Sequence, residues 1–487
     1  MKRRAFPLGF ALAACVAVLW ITRPPGPGLD PDAMSYISAA QSFAAHGTFR
    51  VPAGTWDSPD GTAALGHFPP GFSFALAGPV ALGADPVQAA RVLEAVAAAV
   101  AAGLVVWLAS LTGGALAAVL EGLLLFVTPA FALDHLRVLS EPLFLALLAA
   151  TLATLLRAPD RPLLHGILAA LASLVRYAGA ALGGAVALWA LTRAGTARRR
   201  GARAALALLP TVLVQVAWAL RTHAEEAKVR TFGLKGGLGP TVREGRQTLE
   251  GWLAPAVGAQ ALRTLLALAV VAGAGLLLWR AARRERALFV ATGVGALCYA
   301  GLVLVSRLFA DPGIPLDERL LSPLILFAAL SAAVAVGVVW GGAGRTTRWT
   351  LAVVAAVWLA ASAWQTRVVV TEARRGGWGY AGEEWQASEV ARWLRTDGAR
   401  YPLFTNNAPD VWFATGRRSW KLPDTADADS AAAFGAMLRR RHGALVGFAR
   451  PGALMADPAA LASRLGLVVL ARLDGATVWV PASGQGP

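Results

Sequence analysis

Apolar residues in this chain come in long unbroken runs separated by short polar turns, rather than with the spacing of an amphipathic surface helix. The runs cover 5–21, 88–110, 114–133, 138–156, 163–191, 204–220, 262–279, 287–305, 320–340 and 349–364. A helix needs roughly 20 apolar residues to cross a bilayer, and the run at 163–191, interrupted by glycine, is long enough for two short helices. The pattern predicts a polytopic α-helical membrane protein of about 11 transmembrane helices. An odd number places the two termini on opposite sides.

Beyond residue 365 the pattern changes. Helical periodicity at 384–395, 430–441 and 458–464 alternates with short apolar strands at 403–405, 444–448 and 467–471. Asp474-Gly475 reads as a hairpin turn between 468–473 and 476–480. The expected division is a transmembrane catalytic domain at 1–365, with a large first external loop at 22–87, and a C-terminal extracytoplasmic α/β domain at 366–487.

Composition sharpens this picture. Of the 487 residues 56% are hydrophobic and 15% charged, which excludes an ordinary soluble enzyme. The net charge of +16 is mostly arginine, and much of it sits in short turns at 157–161, 193–203, 280–286 and 345–348. That marks those turns as cytoplasmic and the N-terminus with them, so the charge is a topology signal rather than a nucleic-acid footprint. The connections at 22–68, 134–137, 221–263 and 307–319, and everything after 365, then lie outside. Lys2, Arg3 and Arg4 precede an apolar run that continues past a lipoprotein-like Leu12-Ala13-Ala14-Cys15, which favours an uncleaved first span. Cys15 and Cys298 both lie in apolar runs, so no disulfide framework is expected.

Candidate chemistry gathers at the outer surface. Pro31 opens a helix with Asp32 in its first turn and Tyr36 one turn on, on the same face; a plain helix cap is the competing explanation. Asp134, Arg137 and Glu141 flank a very short external turn. Asp134-His135 suggests a metal, although neighbouring residues do not both reach one ion from a regular helix. A divalent metal is therefore left open and no cofactor is assigned. Arg176 and Glu121 interrupt strongly apolar stretches, where a charge must be paired or functional. Asp317 and Arg319 end the last external loop, and guanidinium groups suit phosphate. The cytoplasmic turns are too short for a nucleotide-binding domain, so any energy-rich donor is lipid-linked.

Four segments in this order resemble the GT-C superfamily of integral-membrane glycosyltransferases. The resemblance is to its bacterial branch, similar to protein O-mannosyltransferases and aminoarabinose transferases. The segments are Asp32-Ala33-Met34-Ser35-Tyr36 with His46-Gly47-Thr48-Phe49, His67-Phe68-Pro69-Pro70-Gly71 with Ala90-Arg91, Leu139-Ser140-Glu141-Pro142, and Asp317-Glu318-Arg319-Leu320-Leu321-Ser322-Pro323. The resemblance implies Asp32 as catalytic base, with Asp134 assisting. It implies substrate contacts from Tyr36, His67, Arg137, Glu141, Arg176, Asp317 and Arg319, the last on a lipid phosphate. Relatives often carry Arg-Tyr where this chain has Arg319-Leu320. The segment at 68–82 is then interfacial or re-entrant. The implied partners are a polyprenyl-phosphate sugar donor, an extracytoplasmic acceptor (lipid, glycan or protein) and membrane lipids, with no nucleic acid. The implied setting is the bacterial plasma membrane, with the site facing outward and the tail covering the acceptor. The rival reading is a transporter or flippase built around Arg176 and Glu121.

Overall fold

The computed structural model describes residues 2–224, 232–255, 257–423, 428–449 and 457–482. Parts of the 221–263 connection, at 225–231 and 256, lie outside the described residues. The membrane part is a helical bundle made of α1 (Lys2–Ile21), α2 (Pro31–His46), α3 (Gly71–Ala81), α4 (Pro86–Thr112), α5 (Gly114–Val127), α6 (Pro129–His135) and α7 (Glu141–Arg157). It continues through α8 (Pro162–Val175), α9 (Ala180–Leu191), α10 (Ala197–Ala224), α11 (Leu238–Leu253), α12 (Gln260–Ala281), α13 (Arg286–Val305), α14 (Glu318–Gly342) and α15 (Arg345–Gly376). Proline begins α2, α4, α6 and α8, where its missing N–H costs nothing and its fixed φ suits the first turn.

Among the described residues, six helices are long and apolar enough to cross a membrane (α4, α10, α12, α13, α14 and α15), or seven if the bent pair α5–α6 is one span. The chain is a multi-pass membrane protein. The sequence count of about 11 includes shorter segments, and the physical reason for the difference is visible in them. The 163–191 run is indeed two helices, but α8 and α9 have only 14 and 12 residues and meet at a break around Arg176. The expected span at 114–133 is bent by 60° between α5 and α6, at Thr128-Pro129. The expected re-entrant segment is the 11-residue helix α3.

The largest buried cluster runs through α4, α7, α8, α9, α13 and α14, with Phe144, Leu148, Tyr299, Ile325 and Leu330 at its centre. Gly71, at the start of α3, abuts the end of α8: a Cβ there would lie 2.6 Å from the Leu174 carbonyl oxygen. Only glycine permits this approach, which brings the 67–69 segment beside Arg176.

The tail carries α16 (Glu383–Ala387), α17 (Glu389–Arg395), α18 (Ala408–Thr415), α19 (Ala428–Arg440) and α20 (Pro458–Arg464) around a mixed sheet. Strands β1 (Arg50–Val51), β2 (Ala53–Gly54) and β3 (Ala63–Ala64) come from the first loop, and β4 (Leu403–Thr405), β5 (Ser419–Lys421), β6 (Ala444–Phe448), β7 (Leu467–Leu473) and β8 (Ala476–Pro481) from the tail. The six-stranded order is β2-β5-β4-β6-β8-β7, parallel as far as β6 and antiparallel beyond it. The β7–β8 hairpin turns at Asp474-Gly475, where Gly475 takes φ +78°. The helical pattern at 384–395 is two helices, because Ser388 caps α17 by accepting a hydrogen bond from Ala391 N–H. Helix α15 runs without interruption through residue 365, and β2 joins the tail's sheet, so first loop and tail share one layer.

Candidate active site

The site forms where α2, α7, α14 and the α8 break meet. Pro31 sets the first turn of α2, and Asp32 projects from it. Tyr36, one turn on, is 1% exposed, with its ring 4.8 Å from Phe68 and 5.1 Å from Phe72. Its hydroxyl lies 3.0 Å from Ser140 Oγ. Burial, reinforced by the charges of Glu141 and Asp32, holds the Tyr36 phenol well above its ordinary value. Tyr36 is therefore a neutral hydrogen-bonding group and not a base.

Residues 136–140 are fixed by three contacts: Gly28 N–H donates to Leu136 O (2.7 Å), Val138 N–H to Gly28 O (2.9 Å), and Leu139 N–H to Glu94 Oε1 (2.8 Å). This turn presents Ser140 and Glu141 at the start of α7. Arg176 sits at the α8 break with extended backbone (φ −143°, ψ 138°). Its Nη1 reaches Glu141 Oε1 at 2.6 Å and donates to Ser140 Oγ at 3.2 Å. Arg319, in the first turn of α14, places Nη1 2.8 Å from Asp32 Oδ2 and Nε 3.2 Å from Glu141 Oε1. The two contacts to Glu141 Oε1 are ion pairs set off the hydrogen-bond axis. Asp32, Tyr36, His67, Arg176, Asp311 and Arg319 line one cavity of about 430 Å³.

Five of the sequence candidates thus share a cavity wall: Asp32, Tyr36, His67, Arg176 and Arg319. Glu141 lies directly behind them, 2% exposed. Asp134 is fully buried and outside the lining, and its carboxylate has no hydrogen-bond partner among the described residues; the nearby Ser322 hydroxyl donates to Arg319 O instead. Arg137 pairs with Asp30 at 3.0 Å and lies over the Trp378 ring. Asp317 is exposed and caps α14 by accepting from Leu320 N–H. Among the described residues no group of three or more His, Cys, Asp or Glu could hold a metal, and His135 turns its Nδ1 to the Phe131 carbonyl. Sequence reasoning did not single out Ser140, which bridges Tyr36 and Arg176, or Asp311, whose place between alanine and proline reads as an ordinary turn.

No protein-family model matches the chain, and no curated protein matches it. Solved structures do. ArnT from Cupriavidus metallidurans in the apo state superposes with a TM-score of 0.61 at 16% identity, over 98% of each chain. ArnT from the same organism bound to undecaprenyl phosphate gives 0.60, again at 16% identity and over 98% of each chain. The chain has the fold of these ArnT structures. A fainter likeness, TM-score 0.48 at 11% identity, is to the archaeal oligosaccharyltransferase AglB from Archaeoglobus fulgidus, covering 99% of this chain and 75% of that one. The cluster built from Asp32, Glu141, Arg176 and Arg319 lies at helix ends: the first turns of α2, α7 and α14 and the end of α8.

Proposed function

We propose that the protein is a glycosyltransferase that moves a sugar from a polyprenyl-phosphate-linked donor to an extracytoplasmic acceptor, with inversion at the anomeric carbon. The observation that carries this reading is the single cavity in which Asp32 faces Arg176 and Arg319. An acid next to guanidinium groups is the pairing that such a transfer needs: a proton acceptor for the nucleophile and a counter-charge for the departing phosphate. The ArnT structure bound to undecaprenyl phosphate supports the donor class by fold.

In the proposed reaction the acceptor hydroxyl or amine gives its proton to Asp32 as its heteroatom bonds to the anomeric carbon. The bond from that carbon to the phosphate oxygen breaks, and its electron pair leaves with the polyprenyl phosphate. Arg319 and Arg176 stabilise the added charge. Tyr36 and His67 contact the sugar, Glu141 orients the arginines, and Asp134 assists from behind. Arg137 and Asp317 shape the rim. The N-terminus is cytoplasmic, the cavity faces outward from a bacterial plasma membrane, and residues 366–487 form the domain that covers the acceptor. A second cavity of about 940 Å³ between tail and bundle, walled by Asp30 and Pro31 at the start of α2, is the acceptor's approach.

A transporter would need Arg176 and Glu121 on one path. Arg176 instead pairs with Glu141 beside Asp32, and Glu121 does not line that cavity.

The decisive experiment measures polyprenyl phosphate released from a panel of polyprenyl-phosphate sugars, with candidate acceptors, by wild type and by Asp32→Asn. Turnover of one donor by wild type, falling at least about a hundredfold in the variant, is expected for loss of a general base. Equal turnover by both removes Asp32 as the base, and no turnover of any donor by wild type removes the transferase reading.

A further inference from the structure

Both arginines that line the cavity are already engaged. Arg319 bridges Asp32 and Glu141, and Arg176 bridges Glu141 and Ser140. In formal charge, the carboxylates of Asp32 and Glu141 already match the two guanidinium groups, and the Asp311 carboxylate, which accepts from Gly313 N–H, adds a further negative charge to the same lining. Such a site holds no surplus positive charge for a phosphate. Asp32 Oδ2, held by Arg319 at 2.8 Å, is also occupied when an acceptor approaches. One exchange of partners resolves both problems.

We propose that the donor's phosphate takes Arg319 away from Asp32, so that the base is unmasked only when the donor is in place. This rests on the glycosyl-transfer reading above. The network is divided to allow it. The Glu141 end is buried, its side chain 2% exposed, whereas Asp32 and Arg319 are 27% and 22% exposed at their contact. An ion pair that water reaches is the weaker one, so the Asp32 end opens first. Arg319 Nε stays beside Glu141 while its Nη groups turn to the phosphate, so the side chain pivots without losing its anchor.

Charge bookkeeping through the reaction agrees. A sugar phosphodiester donor carries one negative charge and Asp32 another. When the acceptor's proton moves to Asp32 and the anomeric carbon–oxygen bond breaks, Asp32 becomes neutral and the departing phosphate monoester gains the charge. Arg319 therefore follows the negative charge from base to leaving group, which stabilises the charge as it develops. Once product leaves and Asp32 loses its proton to water, the Asp32–Arg319 pair re-forms and masks the base again.

The competition makes an unusual demand: removing the base should tighten binding of the phosphate. The experiment is binding of polyprenyl phosphate, with uncharged polyprenol as reference, to detergent-purified full-length wild type, Asp32→Asn, Arg319→Gln and the double variant. Asp32→Asn should bind polyprenyl phosphate about tenfold more tightly than wild type, the scale of one close charge pair. The gain should vanish in the Arg319→Gln background, because nothing remains to be released. Unchanged or weaker binding by Asp32→Asn overturns the exchange. So does a gain that persists without Arg319, which would be plain repulsion between carboxylate and phosphate. If polyprenyl phosphate binds no better than polyprenol to any of the four proteins, the donor reading itself fails. Should Arg319→Gln not fold, Arg319→Lys replaces it: a single ammonium cannot hold Glu141 and exchange partners at once, so the gain should shrink there too.

Discussion

Glu141 balances two guanidinium groups with one buried carboxylate oxygen, and the cavity wall depends on that balance. Glu141→Gln keeps the shape and removes the charge, leaving Arg176 and Arg319 to repel each other. Breaking a buried pair on one side costs about 3–5 kcal/mol, so the variant should lose thermal stability in detergent far beyond Ser140→Ala, which forfeits hydrogen bonds worth about 1 kcal/mol each. Equal melting shifts would show that the network is not an electrostatic unit. Tyr36 gives a pH test. Its phenol is held above the ordinary value of 10.0, so the folded protein keeps a proton that the unfolded chain releases. The stabilisation is complete below pH 10.0, and it fades as pH rises through the folded value. Thermal stability should therefore fall more steeply above pH 10.0 in wild type than in Tyr36→Phe, as read by inactivation half-lives across that range.

At the scale of elements, α11 steadies the cavity's outer wall. Glu244 of α11 accepts from Arg307, which follows the end of α13, and from Leu316 N–H at 2.8 Å, tying down the 311–316 loop that carries Asp311. The hydrogen bond from Arg307 holds the Glu244 carboxyl below its ordinary value of 4.5, and the Leu316 N–H adds to this against some desolvation. A depressed carboxyl gives stability that is present above 4.5 and lost as pH falls through the folded value. Glu244→Gln should loosen the loop, raising hydrogen exchange at 311–316 and the donor's KM several-fold with little change in kcat; exchange unchanged from wild type would sink this role. The elements also show what the sequence made legible. Asp32 and Tyr36 are four residues apart, so helical geometry alone puts them on one face, and the length and glycines of the 163–191 run gave two short helices, although not the position of their break at Arg176. The 60° bend of α5–α6 was hidden inside one apolar run, although Pro129 was its signal. The Asp32–Arg319 contact joins residues 287 apart in sequence, and no local pattern specifies such a pairing. Only the family resemblance placed both at one site.

At the scale of the whole molecule, the first loop belongs to the tail as much as to the bundle. Residues 53–54 extend the tail's sheet beside β5, and Trp420 on β5 donates its indole N–H to Ser58 O at 2.8 Å. Gly61, at φ +68°, packs against the Trp420 ring, where a Cβ would come within 3.0 Å. Because α2 leads directly into this loop, the position of Asp32 is coupled to the tail through a few interlocked contacts. Trp420→Ala removes the ring that both Phe404 and Gly61 pack on, at a cost of about 2 kcal/mol for a half-buried aromatic. The variant should show protease cleavage within 50–64 that wild type resists, together with reduced transfer, while the bundle's helical content stays constant by circular dichroism. Reduced transfer with an uncut first loop would place the tail's contribution at the acceptor alone. Cleavage with full transfer would mean that α2 is held by the bundle, through Tyr36 and the Ser140 turn, without help from the sheet.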